Sequence, residues 1–262
     1  YGYRYVDGHQ PEPVLEFSYV DIRDHPNAVG WDTSNWQALL EASLGFDFNY
    51  YGQPYSKVYI STYGAMSFVE NSASAFSNYY SKSIPSTQSP RGLIAVHWSW
   101  HNCYTTSRDR VFTLQTEIDG EKVFIVEWNP QSGGKFQAIF YEGGMIKFHY
   151  NSVPSSPVAS YTTIGIEKPD GSTGHSISRY TWRQEDLFTT PFAIAFVIEE
   201  VKIDNVRLIN GDGRWGDTIY AGSKKYHFQV DATHSRGADN ILNVMIELGS
   251  LWGQENIKLY YS

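Results

Sequence analysis

"RVFTLQTEIDGEKVFIVEW", residues 110–128, decides how this chain is read. Two runs of alternating apolar and polar residues, 110–118 and 122–128, flank Asp119-Gly120. Asp-Gly tolerates the positive φ angles of a type I′ turn, so the stretch reads as a β-hairpin. The same rhythm extends outward in both directions. "FQAIFYE" (136–142), Gly143-Gly144 and "MIKFHY" (145–150) form a second hairpin pattern. Upstream lie "SKVYIST" (56–62), "YGAMSFV" (63–69), with Gly64 as a turn or bulge, and "GLIAVHWSW" (92–100). Downstream come "YTTIGIE" (161–167) and "FAIAFVIEE" (192–200).

Helical signal is confined to "SNWQALLEA" (34–42), which fits two turns capped by Ser34. Many short strands without helices to cover them must pack sheet on sheet. The expected fold is all-β: a large antiparallel, jelly-roll-like sandwich over residues 1–199. A smaller immunoglobulin-like sandwich is expected over 200–262, where "VKIDNVRLI" (201–209) opens a second set of strands. That unit is short for an immunoglobulin-like domain of about 100 residues, so it is either cut short or completed by another strand.

Composition narrows the function. The 262 residues are 41% hydrophobic and 16% aromatic, and only 18% are charged. Tyr, Trp and Phe at that level favour pleated surfaces. A net charge of -8 argues against nucleic acid or an acidic membrane as partner. No stretch approaches 18 apolar residues, so no membrane insertion is expected. A single cysteine excludes an internal disulfide framework, and no Asn-x-Ser/Thr sequon occurs. Both features fit the cytosol or a prokaryotic exterior better than a eukaryotic secreted protein. The opening at Tyr1, without Met or an apolar leader, is what a mature secreted chain would show.

"LGFDFNYYGQPYSKVYISTYGAMSF" (44–68) resembles a recurrent signature of large secreted bacterial and archaeal proteins whose modules are similar to the NIDO extracellular domain. "LIAVHWSW", "VFIVEWN" (123–129), "FQAIFYEGGMIKFHY" (136–150) and "TTIGIEKPDG" (162–171) resemble later pieces of that pattern, in the same order. The resemblance spans roughly residues 40–198. It implies a surface or secreted location and an adhesive or structural role, with Ig-like or cadherin-like repeats following from Val201. The sequence departs from the pattern at Trp98-Ser99-Trp100-His101, where an acidic residue is common, so no role attached to that acid carries over.

On an unbroken strand Val96, Trp98 and Trp100 share one face, and His97, Ser99, His101 and Cys103 the other. His97 and His101 would stand about 13 Å apart, too far for one metal ion. His101 and Cys103 supply only two ligands, so this face is read as solvent- or interface-facing. Asn210, Asp212 and Asp217 in "NGDGRWGD" (210–217) offer oxygen ligands for a candidate calcium site, near Glu199, Glu200 and Asp204. The EF-hand pattern is missing, and acidic Gly-rich turns are common without metal; no other cofactor is expected. Glu117 and Glu127 on neighbouring strands could face one cleft as a hydrolytic pair. Tyr residues in "NYYGQPY" (49–55), "SNYYSKS" (77–83) and "LYYS" (259–262) are read as exposed contact area or sheet-edge paving. Tyr1, Tyr3 and Tyr5 alternate in "YGYRYV" (1–6), a strand that would suit addition to a neighbouring subunit. The expected function is non-enzymatic: a structural or adhesive surface protein that self-associates or meets surface-protein partners through strand and aromatic interfaces. The alternative is a glycan-binding module of a secreted prokaryotic hydrolase, and a glycosidase is the third reading.

Overall fold

At the centre of the 110–128 stretch, Asp119 and Gly120 have φ angles of 54° and 82°. Both central residues of the turn are therefore left-handed, as a two-residue I′ hairpin demands. The computed structural model describes residues 2–7, 15–33, 39–76, 81–99, 110–130, 133–153, 162–180 and 190–199. It also describes 201–209, 215–216, 227–234, 244–248 and 257–261; of these, and of 178–180 and 199, the backbone alone is described. The chain divides into two compact units, Gly2–Ile198 and Glu199–Ser262.

In chain order the first unit contains β1 (Gly2–Asp7), β2 (Val29–Trp31), β3 (Leu39–Tyr50), β4 (Gln53–Ser61) and β5 (Ala65–Ser67). A single helical turn, α1 (Ala73–Phe76), precedes β6 (Leu93–Trp98), β7 (Val111–Ile118), β8 (Glu121–Trp128) and β9 (Lys135–Tyr141). Then come β10 (Ile146–Ser152), β11 (Thr162–Glu167), β12 (Gly174–Tyr180) and β13 (Phe192–Glu199). They form a seven-stranded sheet ordered β1-β13-β10-β9-β8-β7-β2 and a six-stranded sheet ordered β12-β11-β6-β5-β4-β3. Each sheet is built around an antiparallel meander, β7 to β10 in one and β3 to β6 in the other, so short turns set most of the register.

The two sheets pack as a sandwich. Between them lies an aromatic core in which Phe48, Phe68 and Phe140 meet at 5.3–5.5 Å between ring centroids. The Trp128 indole N–H donates across the sandwich to the Ser61 carbonyl at 2.9 Å. Each sheet also carries an apolar cluster on its outer face. Phe112, Leu114, Ile125 and Ile139 are covered by Val20 and Ile22 of the segment before β2. Ala65, Leu93 and Trp98 are covered by Phe76 and Ile84. Strands buried on both faces read as near-continuous apolar runs, which is why Leu93–Val96 of β6 and Val123–Val126 of β8 are apolar without a break.

The helix expected over 34–42 is corrected: Leu39–Ala42 begins β3, and 34–38 lie outside the described residues. Leu40, Ala42 and Leu44 are buried in period two and Glu41 and Ser43 are exposed, so ladder pairing to β4 overrides a helical propensity that was only local. The Tyr-rich loop is also corrected. Tyr50 is fully buried, and Tyr51 and Gly52 form a second turn with both φ angles positive, 50° and 83°. A Tyr in that conformation is unusual. Tyr51 is held there by edge contacts with Tyr3 and Tyr50, at 5.0 and 4.9 Å.

In the second unit β14 (Val201–Ile209) pairs antiparallel with both β15 (Trp215–Gly216) and β16 (His227–His234), while β17 (Val244–Leu248) pairs with β18 (Ile257–Tyr261).

Candidate functional site

The sandwich has a seam where β2, the last strand of one sheet, meets β3, the last strand of the other. Along it runs an open groove of about 440 Å³. Val29 and Trp31 form its apolar wall, with Thr113 and Gln115 from β7 below and Glu41 and Ser43 from β3 opposite. Trp31 is fixed by its indole N–H, which donates to the Thr113 hydroxyl at 3.0 Å. Gln115 spans the seam, its amide donating to the Ser43 carbonyl at 2.8 Å. Val29 is 53% exposed, unusual for an aliphatic strand residue. The groove offers a half-buried indole, amide and carboxylate groups, and the unladdered side of a 12-residue edge strand. Those are groups for holding a partner by contact and hydrogen bond.

A second polar feature escaped the sequence reading. Glu127, Gln137 and His149 stand in one cross-strand row on β8, β9 and β10, all fully buried. They face residues 15–28, which lie over this sheet like a strap. Gln137 acts as a surrogate strand: its Oε1 accepts the Val20 N–H at 3.1 Å, and its amide donates to the Val20 carbonyl at 2.7 Å. Glu127 Oε2 accepts the Ile22 N–H at 3.2 Å, and Asn129 donates to Oε1. Burial is the main influence on both end groups. It pushes the Glu127 carboxyl above its ordinary range and the His149 imidazole down to about 4. The signal was present in the sequence: "VFIVEW" and "FQAIFY" each place one polar side chain in an otherwise apolar run, and "IKFHY" sets His149 between Phe148 and Tyr150.

At the far end of the other sheet, Glu167 is also fully buried. It accepts the Ser86 N–H at 2.7 Å, with the Lys82 ammonium 3.9 Å away, and so secures the 81–91 loop.

The face containing His97 is not solvent-facing. Val96 and His97 both donate to the Gly64 carbonyl, at 3.1 and 3.0 Å, and the register against β11 shifts there. This β-bulge breaks the alternation. His97, fully buried, therefore meets Phe136 and Tyr150 inside the sandwich, whereas Trp98 turns to the outer cluster. Trp100, His101 and Cys103 lie outside the described residues. Glu117 and Glu127 do not share a cleft. Glu117 sits opposite Lys122 and Glu127 opposite Phe112, five residues along β7 and on the opposite face. Tyr3 is buried within this chain, its hydroxyl donating to the carbonyls of Gly144 at 3.0 Å and Asn49 at 3.2 Å. β1 occupies an edge of this chain's own sheet. Tyr5 is 38% exposed, and Tyr1 lies outside the described residues, as do Asn210, Asp212 and Asp217. Among the described residues no three His, Cys, Asp or Glu side chains gather as a metal ion would need. No described helix is long and apolar enough to cross a membrane.

The model of the family described as NIDO related matches residues 15–193, the span that holds both the seam and the strap. No curated protein matches the chain, and no solved structure matches it.

Proposed function

The chain belongs to the NIDO-related family, and from that premise we propose that it is an extracellular, non-enzymatic module of a prokaryotic surface protein. It works as a structural or adhesive element of a filament, sheath or surface layer, and its second unit is an Ig-like domain of the kind that follows such modules. The observation that carries this reading is the β2/β3 seam, where an exposed apolar wall adjoins an edge strand with an unladdered side. Edge strands that are neither covered nor paired are templates for strand addition. The partner is another copy or a second surface protein, docked by main-chain hydrogen bonds to β3 and apolar contact with Val29 and Trp31.

Sedimentation velocity and electron microscopy of the full chain test the proposal. Concentration-dependent assembly is expected, weakened about tenfold or more by Val29→Lys, equivalent to ~1.4 kcal/mol. A wild-type chain that stays monomeric at all concentrations defeats it. The second reading, glycan binding in the same groove, is favoured by the half-buried indole beside Glu41 and Gln115. Glycan-array binding that is lost in Trp31→Ala would establish it in place of the first.

A further inference from the structure

The strap that crosses the outer face of the β7–β10 sheet brings three groups of complementary chemistry together. Asp21 lies between two residues whose backbones are pinned. Val20 is held on both its N–H and its carbonyl by Gln137, and the Ile22 N–H is held by Glu127. The Asp21 carboxylate is in direct contact with the Lys135 ammonium at the start of β9. Glu127 Oε1 is 3.9 Å from the same ammonium, while its other oxygen faces the Ile22 N–H. Lys135 is 20% exposed, with its ammonium over the Tyr19 ring at 5.5 Å from the centroid. Asp21 is 60% exposed on its outer side.

We propose that Lys135 and Asp21 condense to an intramolecular isopeptide bond, with Glu127 as the proton carrier. An ion pair by itself does not need the third group. A fully buried carboxyl beside the pair is costly to place there, and burial that raises its proton affinity equips it for the proton transfers that amide formation requires. Glu127 takes one proton from the Lys135 ammonium and delivers it to the Asp21 carboxylate, leaving a neutral amine and a neutral acid. The Nζ lone pair attacks Asp21 Cγ. Glu127 then carries the second Nζ proton to the departing hydroxyl, which leaves as water through the open side of Asp21. One C–N bond forms, one C–O bond breaks, and Glu127 returns to its starting state. No oxidant, metal or cofactor is consumed. Holding amine and carboxyl in contact substitutes for an effective concentration on the order of 10⁵ M or more, which makes an otherwise slow condensation accessible. The product staples the strap to β9 across a long stretch of chain, so pulling on the N-terminal segment cannot peel it from the sheet.

Intact mass spectrometry of the full chain, followed by peptide mapping, tests this. The wild-type protein is expected to be lighter than its sequence mass by one water, with a branched peptide joining the segment containing Asp21 to that containing Lys135. Lys135→Arg and Asp21→Ala each restore the full mass. Asp21→Asn changes the deficit from water to ammonia, because the same attack then expels the side-chain amide nitrogen. Glu127→Gln that stays folded by circular dichroism also restores the full mass; should it unfold, the Asp21→Asn result decides. A wild-type chain at its full sequence mass overturns the proposal, as does a water deficit that maps to an imide at Asp119-Gly120.

Discussion

His149 shows how one buried side chain sets a condition on the whole sheet. Its ring is fully buried against Phe17, at 5.6 Å between centroids, and Nδ1 lies 3.5 Å from Gln137 Oε1. Burial, with Lys147 contributing, keeps the imidazole neutral and its pKa near 4 instead of 6.5. Between those values the unfolded chain binds one more proton than the folded one. Stability is therefore full above about pH 6.5 and is lost as pH falls toward 4, by about 3 kcal/mol in total. Glu127 and Glu167 act in the opposite sense, because burial pushes both carboxyls up. The stability carried by their neutral forms is lost as pH rises through the carboxylate range. Urea unfolding from pH 7 to 4 should show the wild-type decline, and His149→Phe should flatten it by the equivalent of about one proton. An unchanged slope in the variant would mean that another group takes up that proton. The HxxxH spacing was legible, although its reading assumed an unbroken strand and His101 lies outside the described residues. The inward turn of His97 was not, because it depends on a bulge opposite Gly64.

The strap is the clearest case at the level of elements. Residues 15–28 form no strand before β2, yet two of their backbone groups are satisfied by the Gln137 side chain in the manner of a neighbouring strand. Replacing that side chain with one that cannot hydrogen-bond leaves the Val20 N–H and carbonyl unpaired beneath the surface. Gln137→Leu should cost about 1–3 kcal/mol. Hydrogen exchange should report it selectively, with faster exchange at Val20 and Ile22 and retained protection in β8–β10. Uniform loss of protection would show that the row supports the sheet and not the strap. Leu39–Ala42 carries a related lesson. The segment contains good helix formers, but Leu40 and Ala42 fill the sandwich core and Glu41 faces solvent, and only an extended backbone does both.

At the scale of the whole molecule, the described residues of the sandwich form three apolar clusters, one between the sheets and two on their outer faces. A chain ending at Glu200 should therefore unfold cooperatively, with a thermal midpoint within about 4 °C of the first transition of the full chain. A non-cooperative or much lower transition, followed by circular dichroism, would show that the second unit is required for the first to fold. The local pattern of residues determined that this is an all-β chain, and where most strands of the sandwich begin and end. Period-two alternation and Asp-Gly chemistry act over a few residues and need no distant partner. Folding in three dimensions settled the seam groove, the buried Glu127–Gln137–His149 row, the bulge that turns His97 inward and the meeting of Asp21 with Lys135. Each of these depends on which strand lies beside which and on what crosses the outer face. That is fixed by burying apolar surface shared between segments far apart in the chain, a quantity no short stretch contains.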